Sequence, residues 1–267
     1  MTALLAASLA ALAVLACIVG GPLWRRRRRT RAAAARLPAA WRTYLGRQRL
    51  YRRVPAALRP RLEALVRVFL AEKHFVGCGG LVVSDTMRLA IALQACMLVL
   101  ARSEHVFDEL RSILVYPDEF VVREEFTEDG VVTSGERVLA GQSWDTSRIV
   151  LSWRDVRAAG DGYNVVIHEF AHYLDEEEGA ANGAPLLDGP RDYARWALVM
   201  QRAFDELAAQ AAAGTPTLLD PYGADSEAEF FAVASEAFFE LPRPLRAAHA
   251  DLYAELARFY RLDPASW

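Results

Sequence analysis

The chain has 267 residues, 53% of them hydrophobic and 24% charged, which is enough apolar material for one substantial folded domain with short attachments. Lys and Arg number 31 against 34 Asp and Glu, a net charge of −3, and a large share of the basic residues sits between Arg25 and Arg61. The acidic remainder argues against a nucleic-acid-binding domain. Three cysteines without a CxxC pair, Cys17, Cys78 and Cys96, argue against a disulfide framework or a thiolate zinc site.

From Thr2 to Trp24 there is no charged residue, and the run matches the roughly 20 residues that cross a bilayer as a helix. Arg25 to Arg29 and Arg31 follow at once. The positive-inside rule then predicts a single-pass transmembrane anchor over residues 1–24, with everything after it on the cytoplasmic face. A cleaved signal peptide carries its charge before the apolar core, and here the charge comes after; the same inversion weakens Val14-Leu15-Ala16-Cys17 as a lipoprotein cleavage site. The arginine run reads as a topology signal with lipid-headgroup contact.

Residues 25–60, basic and rich in Ala and Leu, are expected to form a juxtamembrane connector, and residues 61–267 a single domain. Leu62, Leu65, Val66, Phe69 and Leu70 recur with helical period. Met87 to Ala101 is nearly all apolar but too short for a second span, which predicts a buried helix. Ile113 to Tyr116, Phe120 to Val122 and Ile149 to Leu151 are short β-branched or aromatic runs bounded by turn residues, and predict strands. Helices are expected from Gly162 through Asp175, from Asp192 to Ala213, from Ser226 to Glu240 and from His249 to Arg261, with loop from Glu176 to Gly189. The order reads as α+β.

The most informative stretch is Val165-Val166-Ile167-His168-Glu169-Phe170-Ala171-His172-Tyr173-Leu174-Asp175. Residues four apart on a helix lie one above the other, so His168 and His172 can offer imidazole nitrogens to one ion. Zinc suits neutral imidazole and keeps a tetrahedral position open for water. It lowers that water's pKa towards neutrality, and Glu169 can take the proton. With only five histidines in the chain, H-E-x-x-H has about one chance in a hundred or less of arising by accident, and the motif carries a mechanism.

A catalytic zinc needs a third protein ligand. A metzincin would place glycine at position 175 and a ligand at 178, where this chain has Asp175 and Glu178. A later helix offers Glu227, Glu229 and Glu236; the last two are seven apart and share a face, and spacing alone leaves the choice open. His74, His105 and His249 stand alone, and Glu176-Glu177-Glu178 reads as a solvated loop.

Five stretches together resemble the Mlc titration factor A family of zinc peptidases, whose catalytic domain is similar to that of anthrax lethal factor. They are Gly79 to Arg88, Ser112 to Pro117, Val150 to Trp153, His168 to Asp175 and Tyr222 to Phe239. The resemblance covers about Phe69 to Pro264 and implies a zincin-like peptidase domain. It implies Glu229 as third zinc ligand and Tyr222 as a catalytic tyrosine, whose phenol would donate to the oxyanion. Asp175 is expected to support a ligand from behind. The implied partners are a peptide or protein substrate and, through the family's name, a transcriptional repressor. A regulatory protein that sequesters such a repressor is the second reading. A strand such as that at Ile149 to Leu151 is expected to pair with extended substrate.

Overall fold

The computed structural model describes residues 21, 23–102, 107–118, 120–128, 131–139, 141–145, 147–177, 179 and 181–267. The anchor expected over residues 1–24 lies almost wholly outside these, as does Cys17. No helix among the described residues is long and apolar enough to cross a membrane.

The central sheet has four strands: β1 (His74–Gly77), β2 (Ser112–Tyr116), β5 (Gly141–Asp145) and β6 (Arg148–Ser152), in the order β1-β2-β6-β5. β1, β2 and β6 are parallel, and β5 runs antiparallel along β6. Parallel interior strands are covered on both faces, and four of the five residues of β6 are buried accordingly. Between β2 and β5 the chain makes a separate hairpin, β3 (Phe120–Glu128) with β4 (Val131–Leu139), paired only to itself among the described residues. The strand read at Phe120 to Val122 is thus the start of a nine-residue one.

Helices pack around this sheet. α1 spans 23–34, followed by α2 (Ala39–Arg47), α3 (Arg49–Arg53), α4 (Arg59–Glu72), α5 (Asp85–Leu98) and α6 (Trp153–Ala158). α7 (Val165–Glu176), α8 (Pro190–Ala212), α9 (Glu227–Glu240), α10 (Pro242–Ala248) and α11 (Ala250–Tyr260) complete the chain. α5, capped by Ser84 through its side chain, is buried on every side, as an apolar run too short for a membrane should be. α7 packs against α5, α9, β5 and β6, so the helix with the histidines sits at the centre of the domain. Phe170 on its core face meets Phe107 at 4.7 Å and Phe69 at 5.8 Å between ring centroids.

The basic segment is partly built into the folded domain. The core begins before residue 61: Leu37, Leu45, Leu50, Tyr51 and Val54 are buried in the same cluster as the sheet and α7. Nor is the arginine run wholly free for lipid. Arg29 Nε donates to Glu72 at 2.8 Å and its Nη2 also reaches Asp108, while Arg28 donates to the Ala71 carbonyl at 2.5 Å. Arg25, Arg26, Arg27 and Arg31 are exposed.

Candidate metal centre

α7 starts at Asn164, whose Oδ1 accepts the Ile167 N–H at 3.0 Å. Val165, Val166, Ile167, Phe170, Ala171 and Leu174 turn into the core. That stripe leaves His168 and His172 on the opposite side, facing the start of α9. α9 is capped by Ser226, whose hydroxyl accepts the Glu229 N–H at 3.2 Å, and acidic residues suit its positive first turn. The four phenylalanines of α9, Phe230, Phe231, Phe238 and Phe239, are buried and fix its rotation.

That rotation brings Glu229 onto the histidines. The two imidazole Nε2 atoms lie 3.1 Å apart, and Glu229 Oε2 is 3.0 Å from His168 Nε2 and 3.3 Å from His172 Nε2. Three unshared donor atoms on a triangle of such edges match tetrahedral zinc, whose ligands at about 2.0–2.1 Å are separated by roughly 3.3 Å. Among the described residues this is the one group of three that could hold a metal ion. The donor set, two neutral nitrogens and one carboxylate, is that of a catalytic zinc with a position left open.

The other glutamate of the pair, Glu236, is 3% exposed. Its Oε1 lies 2.8 Å from His168 Nδ1, and its Oε2 accepts the Asn164 N–H. A carboxylate at Nδ1 keeps the proton there and turns Nε2 outward as an acceptor. Seven residues of α9, two turns, thus put one carboxylate on each nitrogen of His168. Asn164 Nδ2 donates to Glu240 Oε1 at 2.9 Å, extending the chain of bonds one turn further.

Glu169 is 4% exposed, and its Oε2 finds no hydrogen-bond partner among the described residues. Burial pushes its carboxyl up to about 7 against the pull of His168 and His172. Such a carboxylate, stripped of solvent and near neutrality, is poised to accept a proton. Burial also opposes charge on His168, but hydrogen bonds to Glu229 and Glu236 outweigh it and raise the imidazole to about 10. Burial likewise opposes ionisation of Glu229, and bonds to both histidines hold it well below the usual carboxylate range.

Tyr222 stands on a 3-10 turn, Pro221–Ala224, capped by Asp220. It is 43% exposed, and its ring centroid lies 6.0 Å from that of His168. The turn hugs the helices because residue 223 is glycine: a Cβ there would meet Leu207 at 3.1 Å and Val233 at 3.2 Å. Asp175 does not act on the histidines by any hydrogen bond among the described residues. Its Oδ2 accepts the Gly183 N–H at 2.7 Å, bracing the loop between α7 and α8, and Oδ1 has no hydrogen-bond partner among the described residues. Glu236 is the carboxylate hydrogen-bonded to His168 from behind, while Asp175 and His172 interact through charge alone. The seven-residue spacing of Glu236 from Glu229 was the available signal.

Glu227 is exposed, and Glu178 lies outside the described residues. His249 lies 4.0 Å from Glu206, on the far helices.

The model of the family described as glucose-regulated metallo-peptidase M90 matches residues 23–261. Uncharacterized protein slr2042 of Synechocystis sp. is 40% identical over 260 residues, 95% of this chain and 94% of that protein. Mlc titration factor A of Pectobacterium atrosepticum is 39% identical over 210 residues, 76% of this chain and 79% of that protein. Mlc titration factor A of Yersinia pestis is 36% identical over 210 residues, 76% and 77% of the two chains.

Proposed function

We propose a detailed reading from one premise: this chain belongs to the glucose-regulated metallo-peptidase M90 family and is a metallopeptidase. The metal is zinc, and the reaction is hydrolysis of a peptide bond. The observation that carries this is the Nε2, Nε2, Oε2 triangle with a buried, unpartnered carboxylate beside it.

His168, His172 and Glu229 hold the ion, and Glu236 keeps His168 in the ligating tautomer. Zinc, when bound, supplies a Lewis acid for the scissile carbonyl and acidifies water. Glu169 removes the proton from the attacking water and returns it to the leaving amine. Tyr222, from its exposed turn beside His168, donates to the oxyanion as the tetrahedral carbon forms.

Substrate pairing falls to a different strand from the one expected. β6, with Ile149 to Leu151, lies between β2 and β5 and has no free edge. β5 has β6 as its single neighbour among the described residues and packs on α7. An extended peptide adding to β5 would run past the histidines.

The uncharged run from Thr2 to Trp24 and the arginines after it support a tether to the cytoplasmic face of a membrane. The second reading, sequestration of a transcriptional regulator, draws on the relatives' name, Mlc titration factor A. Glu169→Gln separates the two, because it removes the base and spares the ligands. Hydrolysis of a casein or peptide-library substrate should vanish while zinc content stays. Hydrolysis that persists in this variant sinks the enzymatic reading; a cellular phenotype that persists without hydrolysis favours sequestration.

A further inference from the structure

Glu240 ends α9 with a carboxylate that the catalytic reading leaves unused. Its side chain is 2% exposed, and a buried charge without a partner is costly. Two groups meet it. Asn164 Nδ2 donates to Oε1 at 2.9 Å, and the Arg49 guanidinium donates to Oε2 through Nη2. Arg53, on the same short helix as Arg49, donates instead to the Glu240 main-chain carbonyl at 3.2 Å. Among the described residues Arg49 is therefore the one cation hydrogen-bonded to this carboxylate. It stands on α3, 191 positions earlier in the chain, inside the basic segment that was expected to be a connector outside the domain.

Asn164 is fully buried and has every polar group engaged. Its Oδ1 accepts the Ile167 N–H at 3.0 Å, its carbonyl accepts the His168 N–H at 3.0 Å, and its own N–H goes to Glu236. The amide has two ends of opposite character. An anchored carboxylate at Nδ2 keeps Oδ1 turned toward the first turn of α7. Glu236 in turn holds His168 Nδ1 at 2.8 Å. A continuous run of hydrogen bonds thus leads from Arg49 through Glu240, Asn164 and Glu236 to His168. The three members between its ends are 5% exposed or less, so water does not compete for these bonds.

We propose that Arg49 is a positioning residue for the metal centre. It neutralises and orients Glu240, so that Asn164 and Glu236 present His168 Nε2 to the ion. The proposal rests on the reading of His168, His172 and Glu229 as zinc ligands. The other arm of Arg49, Nη1 to Asp161 at 3.4 Å, ends on a side chain that is 97% exposed, and such surface pairs contribute little.

Competition for zinc against a chromophoric chelator, on the full-length protein, tests this. Wild type should bind one zinc per chain. Arg49→Met should weaken that binding about 3- to 10-fold, less than the roughly 10- to 100-fold expected for a carboxylate that touches the ligand. Arg49→Lys, which keeps the charge, should recover most of the loss, and Asp161→Asn should match wild type. A merely structural Arg49 would weaken zinc by the same factor with or without Glu236. Acting through Glu236, it should cost less than about 2-fold more when Arg49→Met is added to Glu236→Ala. Should Arg49→Met fail to fold, Glu240→Gln decides: it removes the charge that Arg49 grips without stranding one, and should weaken zinc by a similar factor. Wild-type affinity in the folded variant, or an equal loss in the Glu236→Ala background, overturns the proposal and leaves the zinc site standing. A wild type that binds no zinc overturns both.

Discussion

Removing the Glu236 carboxylate attacks the metal centre from behind, without touching an atom that would bind the ion. In Glu236→Ala two bonds disappear: the one to His168 Nδ1 at 2.8 Å and the one from the Asn164 N–H. The first loss frees the imidazole to rotate and to place its proton on Nε2. Loss of such a supporting carboxylate costs 10- to 100-fold in metal affinity, or about 1.4–2.7 kcal/mol. The second leaves a buried backbone donor at the start of α7 unmet, at about 1–3 kcal/mol of stability. Glu236→Gln retains an acceptor and the shape but not the charge, so it should recover most of the stability and only part of the zinc affinity. Competition for zinc against a chromophoric chelator gives the first quantity, and chemical denaturation of metal-free protein gives the second. Zinc affinity in Glu236→Ala equal to wild type would refute the reasoning, because His168 would then need no carboxylate to present Nε2.

Four further outcomes follow from the same structure. His168 is raised to about 10 in the metal-free protein, so zinc must displace a proton at neutral pH; affinity should fall as pH falls, and calorimetry in buffers of different ionisation enthalpy should show proton release. By the same shift, His168 stabilises the metal-free fold fully below its ordinary value of 6.5, and that contribution is lost as pH rises through about 10; a metal-free melting temperature that rose across this window for wild type relative to His168→Gln would contradict it. Gly183 has φ of +73°, and a Cβ there would lie 2.4 Å from the Glu227 carbonyl, so Gly183→Ala should cost about 2 kcal/mol or more in denaturant unfolding. Leu45→Ala should cost about 2–5 kcal/mol, since Leu45 is fully buried; a loss below 0.5 kcal/mol, roughly what surface substitutions give, would show that α2 is not part of the core.

What could be read in advance was local. The H-E-x-x-H stretch and its apolar flanks share one helix, so four-residue spacing alone aligned His168 with His172. Helical period identified α4 for the same reason. β1 escaped notice because its four residues, His74 to Gly77, form a strand only through parallel pairing with β2, which begins 38 positions after β1 starts. Leu45 and Val54 were hidden among arginines; their burial depends on α2 folding back onto α5, with α3 packed on α2, and no short window of sequence encodes that return. Glu236 posed a harder problem than Glu229. Both share a face of α9, and only the crossing of α9 over α7 decides which meets Nε2 and which meets Nδ1. Asp175, near His172 in sequence, was drawn instead to the turn at Gly183.

The claim on which the rest depends is that His168, His172 and Glu229 together hold one zinc ion. Elemental analysis of purified protein tests it directly, comparing wild type with Glu229→Ala and with Glu227→Ala, the exposed neighbour one turn-face away. Wild type and Glu227→Ala should each carry one zinc per chain, and Glu229→Ala should lose it. Stoichiometric zinc retained in Glu229→Ala would contradict the assignment.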